Sequence, residues 1–359
     1  MVPVHRGRST RAGRSTASAR WRLAAAGTGL ALVTAVGILG AVSHRSGGAP
    51  PPRRPAHVTA SQPHRPASAE VWAPGWQNRV RPAVAALAND LPDVYERGCH
   101  ANHRQTTVTV CADGPQDAGH AVLTIGDSHA ASWQPALAAL AEELHWRNLS
   151  ATKSACTVWD VPTTVVAAPA GYTACDTWRH NAFALAERVH PAVVILHSAV
   201  PWNYMLDAAG RQITRWADKP PALTRAVRSS VTSARRSGAK VVVMLDVPMA
   251  SAPLAMSTAA LQDCLAAAAA PTACDFPSTA AELSRQVLRT AAVAAGAVVV
   301  DPYPVICPGR MCHVVQGDTV AYRNAGHLTR TYALQLRGWV AAWLRPLVTS
   351  APPHRATRQ

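Results

Sequence analysis

Apolar residues in the middle of this chain fall into two alternating patterns. Short, continuous apolar runs cover His120 to Ile125, Ala192 to Leu196, Lys240 to Leu245 and Ala297 to Val300. Between them lie stretches with helical spacing: Ala131 to Trp146, Ala182 to Val189, Ala222 to Arg236, Ala280 to Ala295 and Leu328 to Leu344. Unbroken apolar strands separated by helices predict a parallel sheet covered on both faces. The expected fold class is therefore α/β, a three-layer α/β/α sandwich. Ligands in such folds bind beyond the C-terminal ends of the strands. Ser128, the segment Ser198 to Tyr204, and Asp246 to Met249 all follow strands and are placed there.

Outside residues 76–345 the pattern changes. Residues 1–22 are polar and Arg-rich. Residues 23–42, from Leu23 to Val42, are uncharged and dominated by Leu, Ala, Val, Ile and Gly. Twenty such residues at about 1.5 Å each span roughly 30 Å, the thickness of a bilayer's hydrocarbon core. Six Arg residues precede the run, which predicts a cytoplasmic N-terminus and an exported remainder. A cleavable signal peptide ending near Ala41 is the rival reading, but such apolar regions usually run about 7–15 residues. Residues 43–75, rich in Pro, Ser, Gly and His, read as an extended linker, and residues 346–359 as a disordered tail.

The net charge of +15 suggests nucleic-acid binding only until it is mapped. No acidic residue precedes Glu70, while ten Arg residues do, leaving +5 for the rest of the chain. The excess belongs to the tail and linker, so a nucleic-acid partner is not expected. All eight cysteines follow the apolar run: Cys99, Cys111, Cys156, Cys175, Cys264, Cys274, Cys307 and Cys312. An even set in an exported domain predicts disulfides, and pairing between sequence neighbours is the simplest of the 105 possibilities. No CxxC or nearby His pair suggests a metal site.

The candidate chemistry lies at Gly126-Asp127-Ser128-His129, between a strand and a helix. A sharp turn there exposes the Ser Oγ beside helix-start N–H groups that have no internal partner. Taken alone, the motif need do no more than cap a helix. A second element, far along the chain, reads Tyr322-Arg323-Asn324-Ala325-Gly326-His327-Leu328-Thr329. Together, with Trp133 following Ala130, they resemble the SGNH (GDSL-like) hydrolase family, and most closely the SGNH domain fused to bacterial acyltransferase-3 membrane proteins.

That resemblance implies Ser128 as nucleophile, His327 as general base and the Ser128 N–H as an oxyanion donor. The family's triad Asp falls at Asn324. An amide in that place can cost a serine triad about 10⁴ in rate. Three outcomes follow: a slow dyad, rescue by another carboxylate such as Asp301 or Asp318, or an inactive domain. Gly126, Asp127, Trp202 and Asn203 are oxyanion or substrate candidates, with Asp127 expected chiefly to brace the turn. Trp133, Trp202 and Tyr204 are expected as packing or lid residues, with a sugar-stacking wall as the alternative. His129 is expected to be a surface or structural residue, with substrate contact as the alternative, and Asp246 to be structural.

The implied function is an O-acyl esterase or acyltransferase, with acetyl as the expected acyl group, acting on a cell-surface glycan outside the membrane. The alternative is a weak or inactive glycan-binding domain. Implied partners are the membrane, a glycan and a separate multi-span acyltransferase. No Gly-rich phosphate loop follows any strand, so no cofactor is expected.

Overall fold

The computed structural model describes residues 72, 74–249, 257–277, 282–309, 311–324 and 326–351. The expected tail and membrane anchor, and the linker up to residue 71, lie outside them. Among the described residues no helix is long and apolar enough to cross a membrane.

The chain opens with short strands β1 (His100–Ala101) and β2 (Cys111–Asp113), then β3 (Ala121–Gly126). Helices α1 (Ser128–Ala131) and α2 (Gln134–Leu144) lead to β4 (Arg147–Lys153), α3 (Thr173–Val189) and β5 (Val193–His197). Next come α4 (Lys219–Arg235), β6 (Lys240–Met244), α5 (Thr258–Ala267), β7 (Phe276–Pro277), α6 (Glu282–Ala294) and β8 (Val298–Val300). The chain closes with α7 (Tyr303–Ile306), β9 (Met311–Cys312), β10 (Val315–Gln316), β11 (Thr319–Val320), α8 (Arg330–Gln335) and α9 (Arg337–Thr349).

The main sheet runs in the order β1-β4-β3-β5-β6-β8, all parallel, with β2 antiparallel on the outer edge of β4 beside β1. Alternate residues of each central strand enter different cores. Val193 and Ile195 of β5 pack with Leu137 and Leu140 of α2, Leu261 of α5, Tyr332 of α8 and Val340 of α9. Val194 and Leu196 pack on the opposite face with Trp178 of α3, Leu223 and Val227 of α4, and Leu288 of α6. Each such buried side chain contributes about 1.5–3 kcal/mol, which is why these strands read as unbroken apolar runs. The domain is a three-layer α/β fold around a mainly parallel sheet.

Some boundaries differ from the sequence expectation. α3 begins at Thr173, well before Ala182, because its polar first half still buries Trp178 and Arg179. The expected helix from Leu328 to Leu344 is two helices, α8 starting after its Thr329 cap and α9 continuing to Thr349. α9 buries Val348, so the ordered domain passes the expected end at 345. β4 was not anticipated: its sequence Arg-Asn-Leu-Ser-Ala-Thr-Lys is largely polar, yet every residue after Arg147 is buried. Its donors have partners: Asn148 Nδ2 donates to Asp113 at 2.9 Å, and Lys153 Nζ to the Gln105 carbonyl at 2.7 Å, while Asn148 Oδ1 is buried without one.

The cysteines pair as sequence neighbours: Cys99–Cys111, Cys156–Cys175, Cys264–Cys274 and Cys307–Cys312. Non-reducing peptide mapping is expected to return these four links; a link between clusters would contradict the arrangement. Replacing Cys156 and Cys175 by Ser should cost about 3 kcal/mol in urea unfolding, from the loop of 19 residues they close.

Candidate active site

β3 lies between β4 and β5 and ends on Gly126, which is paired with Thr152 and His197. A Cβ at Gly126 would stand 1.8 Å from the His197 carbonyl oxygen and 2.7 Å from Ala130 Cβ. Only glycine lets the strand end sit this close to β5 and to the helix that follows. The Asp127 carboxylate, buried, accepts the His129 N–H at 2.9 Å and the Ala199 N–H at 3.0 Å. It thereby caps α1 and ties the turn to the loop after β5. Burial pushes its carboxyl up to about 6, against the pull of neighbouring His129. Ser128 is the first residue of α1, where a backbone N–H has no intrahelical acceptor.

The loop before α8 brings its residues to the same place. A bridge between Tyr322 and Leu328 and the Arg323 N–H donating to the His327 carbonyl at 2.8 Å hold it tight. His327 Nε2 lies 2.8 Å from Ser128 Oγ, and His327 Nδ1 lies 2.7 Å from Asn324 Oδ1. Asn324 Oδ1 also accepts the backbone N–H groups of His327 at 3.1 Å and Gly326 at 3.3 Å. An amide NH₂ cannot accept these donors, so the oxygen must face them and the imidazole. Nδ1 therefore donates to Asn324, which leaves the Nε2 lone pair facing the Ser128 hydroxyl. This is the tautomer a base needs. An amide introduced into a serine-protease triad selects the other one.

Burial pushes the His327 imidazole well below its usual value, helped by the nearby positive charges of His129 and Arg323. Directly beside it, ring centroids 4.6 Å apart, is His129. His129 Nδ1 lies 2.7 Å from Asp246 Oδ1, and both residues are 6% exposed. Burial opposes charge on His129, but the Asp246 carboxylate outweighs it and holds the imidazole at about 9. Asp246 responds in kind: desolvation opposes its charge, yet His129 keeps the carboxyl below its usual range. Behind them His197 is fully buried, its Nδ1 3.0 Å from the Met244 carbonyl, and burial pushes its imidazole below the usual value.

A further wall comes from the segment before β2. The Tyr95 and His100 rings pack at 4.6 Å, His100 Nδ1 meets Thr152 Oγ1 at 2.9 Å, and Arg323 hydrogen-bonds the Tyr95 hydroxyl. Tyr95, His100 and Arg323 were not singled out from sequence. They lie in stretches without periodicity; β1 carries His100 onto the edge of β4, and the Cys99–Cys111 link ties the same segment to β2.

Other candidates fall elsewhere. Asp301 is held by Arg285 and, at 2.7 Å, by Arg289, and Asp318 by Arg81, so neither rescues His327. Asn203 is exposed; its carbonyl takes Gln212 Nε2 at 2.7 Å and its amide oxygen faces Lys219 Nζ at 3.4 Å. These contacts tie it to its own loop rather than to Ser128. Trp133 is 1% exposed and packs on Trp339 at 5.7 Å, which makes it a core residue. Trp202 donates Nε1 to Ser284 Oγ at 2.6 Å and packs on Trp216, while Tyr204 is exposed. Among the described residues no cluster of His, Cys, Asp and Glu is arranged to hold a metal ion.

With this geometry in place, the comparisons are decisive at the level of family. The family described as the SGNH domain fused to AT3 domains matches residues 98–342. The chain belongs to this SGNH family. The fold is similar to the periplasmic domain of a lipopolysaccharide acetyltransferase from Salmonella Paratyphi A, with TM-score 0.50 and 16% identity over 64% of this chain and 85% of that one. A protein described as an SGNH hydrolase from Slackia heliotrinireducens aligns with TM-score 0.38 and 16% identity over 62% and 97%. A GDSL-like lipase from Parabacteroides merdae aligns with TM-score 0.36 and 10% identity over 64% and 98%. No curated protein sequence matches.

Gly126→Ala is expected to force β3 and β5 apart and lower the melting temperature of this SGNH domain by several degrees in a thermal scan. The His129–Asp246 pair sets a pH dependence. The folded His129 value, about 9, lies above the unfolded one, so its contribution is complete below about pH 6.5 and is lost as pH rises through 9. The urea midpoint should therefore fall more steeply from pH 7 to 9.5 in the wild type than in Asp246→Asn. Equal slopes would show that the pair is not charged.

Proposed function

We propose that this SGNH domain transfers a small acyl group, acetyl as the leading candidate, through an ester on Ser128. Ser128 Oγ attacks the acyl carbonyl carbon while His327 Nε2 takes its proton. The Ser128 N–H donates to the developing oxyanion. Collapse expels the alcohol, which leaves with the proton from His327. Water or a sugar hydroxyl then attacks the acyl-Ser128, giving hydrolysis or transfer from the same intermediate. Asn324 orients the imidazole through its carbonyl oxygen but lends no charge to the imidazolium, so the reaction is expected to be slow.

The observation that carries this reading is the continuous line Ser128–His327–Asn324, at 2.8 and 2.7 Å with the required tautomer. The choice of glycan and acetyl is supported by the acetyltransferase fold likeness and by a family described as fused to AT3 domains. On this reading the domain works outside the cell membrane, tethered by residues 23–42, and a separate multi-span acyltransferase delivers the acyl group.

A second reading, a weak or inactive glycan-binding domain, draws on the uncharged Asn324 and on the positive charge beside His327. Hydrolysis of an activated acetyl ester separates the two. Activity in the wild type, lost in Ser128→Ala and raised at least about tenfold in Asn324→Asp, supports a working serine site. Identical background rates in all three proteins would favour the binding domain.

A further inference from the structure

We propose that His129, held as an imidazolium by the buried Asp246 carboxylate, adds to burial in keeping the adjacent His327 neutral, so that the Ser128 site retains its base in acidic surroundings. His129 is then a positioning residue. The inference rests on the reading of Ser128 and His327 given above and adds a regulator to that site.

In a serine triad the carboxylate stands behind the base and favours its protonated form. Here the position behind His327 holds an amide, and a buried carboxylate stands one imidazole away, on His129. The two rings are in contact, 4.6 Å between centroids. Their closeness is built in: a Cβ on Gly326 would stand 2.9 Å from His129 Cε1, so the loop bearing His327 needs glycine there to approach. Two imidazolium ions at that distance in a buried site repel strongly, so the pair shares one proton across the range where either would titrate alone. The ring bearing the carboxylate takes it.

The cationic neighbours push the same way. On its own loop His327 faces Arg323 and from α1 it faces His129, while His100, from β1, is pushed down to about 4 by its burial and by Lys153 and carries no charge there. Both nearby carboxylates act on His129 instead: Asp246 by direct contact and Asp127 through the α1 cap. His197, from β5, lies behind Asp246 at 4.0 Å, and burial pushes it below its usual value. His327 therefore has His129 and Arg323 as neighbouring cations, and the carboxylates of Asp246 and Asp127 stand behind His129 rather than against it. It remains a proton acceptor at pH values where an isolated histidine is already charged.

Two measurements on the full chain test this. Nitrogen-15 spectra of labelled histidines, taken from pH 5 to 9, are expected to show His129 as a cation to about pH 8 and His327 as the neutral Nδ1–H tautomer down to pH 5. In parallel, the pH profile of kcat/KM for activated acetyl ester should change in His129→Gln and Asp246→Asn. Both variants should shift the acidic limb upward by about one pH unit or more, because the neighbouring charge is gone. A neutral His129 at pH 7 would overturn the proposal. So would variants that are slower at every pH with the limb unmoved, the mark of a purely structural role. If the spectra show the divided charge but no ester turnover depends on Ser128, the catalytic reading fails and the electrostatic one stands.

Discussion

The close approach of β3 to β5 at Gly126 sets the geometry of everything around Ser128. The strand end presses against the His197 carbonyl, leaving no room for a side chain. The chain must therefore turn at once into α1, with Asp127 bound to the loop beyond β5. Ser128 is left at the top of the sheet, where the loop carrying Asn324 and His327 can reach it. The apolar packing on both sheet faces holds these strand ends fixed. The site inherits its rigidity from that packing.

Charge is distributed unusually at this site. A carboxylate is present and buried, but it stabilises His129 rather than the histidine that faces Ser128. The histidine facing Ser128 is oriented by a neutral oxygen fixed by two backbone N–H groups. Orientation and charge stabilisation, which one Asp supplies together in a standard triad, are thus separated onto different residues. A weak base with the correct tautomer is a different catalyst from a strong base with the wrong one. On the proposed reading, that is how an Asn at 324 is compatible with acyl transfer.

Much of this was legible in sequence, for reasons that also explain the gaps. β3, β5 and β6 are buried on both faces, so their composition declared them, as did the apolar run of β8. β4 is equally buried but satisfies its Asn148 and Lys153 donors through Asp113 and the carbonyls of residues 102 and 105, contacts no local pattern reveals. β1 and β2 are two and three residues long, too short for any periodicity. The Ser128 and His327 motifs were readable because each is a compact local arrangement. Asp246 was not, because its meaning depends on His129, 117 positions away in the chain. Tyr95, His100 and Arg323 were missed for the same reason: they converge only through the sheet edge and the Cys99–Cys111 link.

The cysteine connectivity has a consequence for how the chain can be made. Each link joins a cysteine to the next one along the sequence, so no bridge encloses or crosses another. A domain delivered in chain order into an oxidising compartment would present its thiols two at a time, in the native couples. An oxidant with no selectivity of its own, joining each thiol to the next to emerge, would produce the complete native set. Such a chain needs an electron acceptor to mature but no enzyme to reshuffle its bridges.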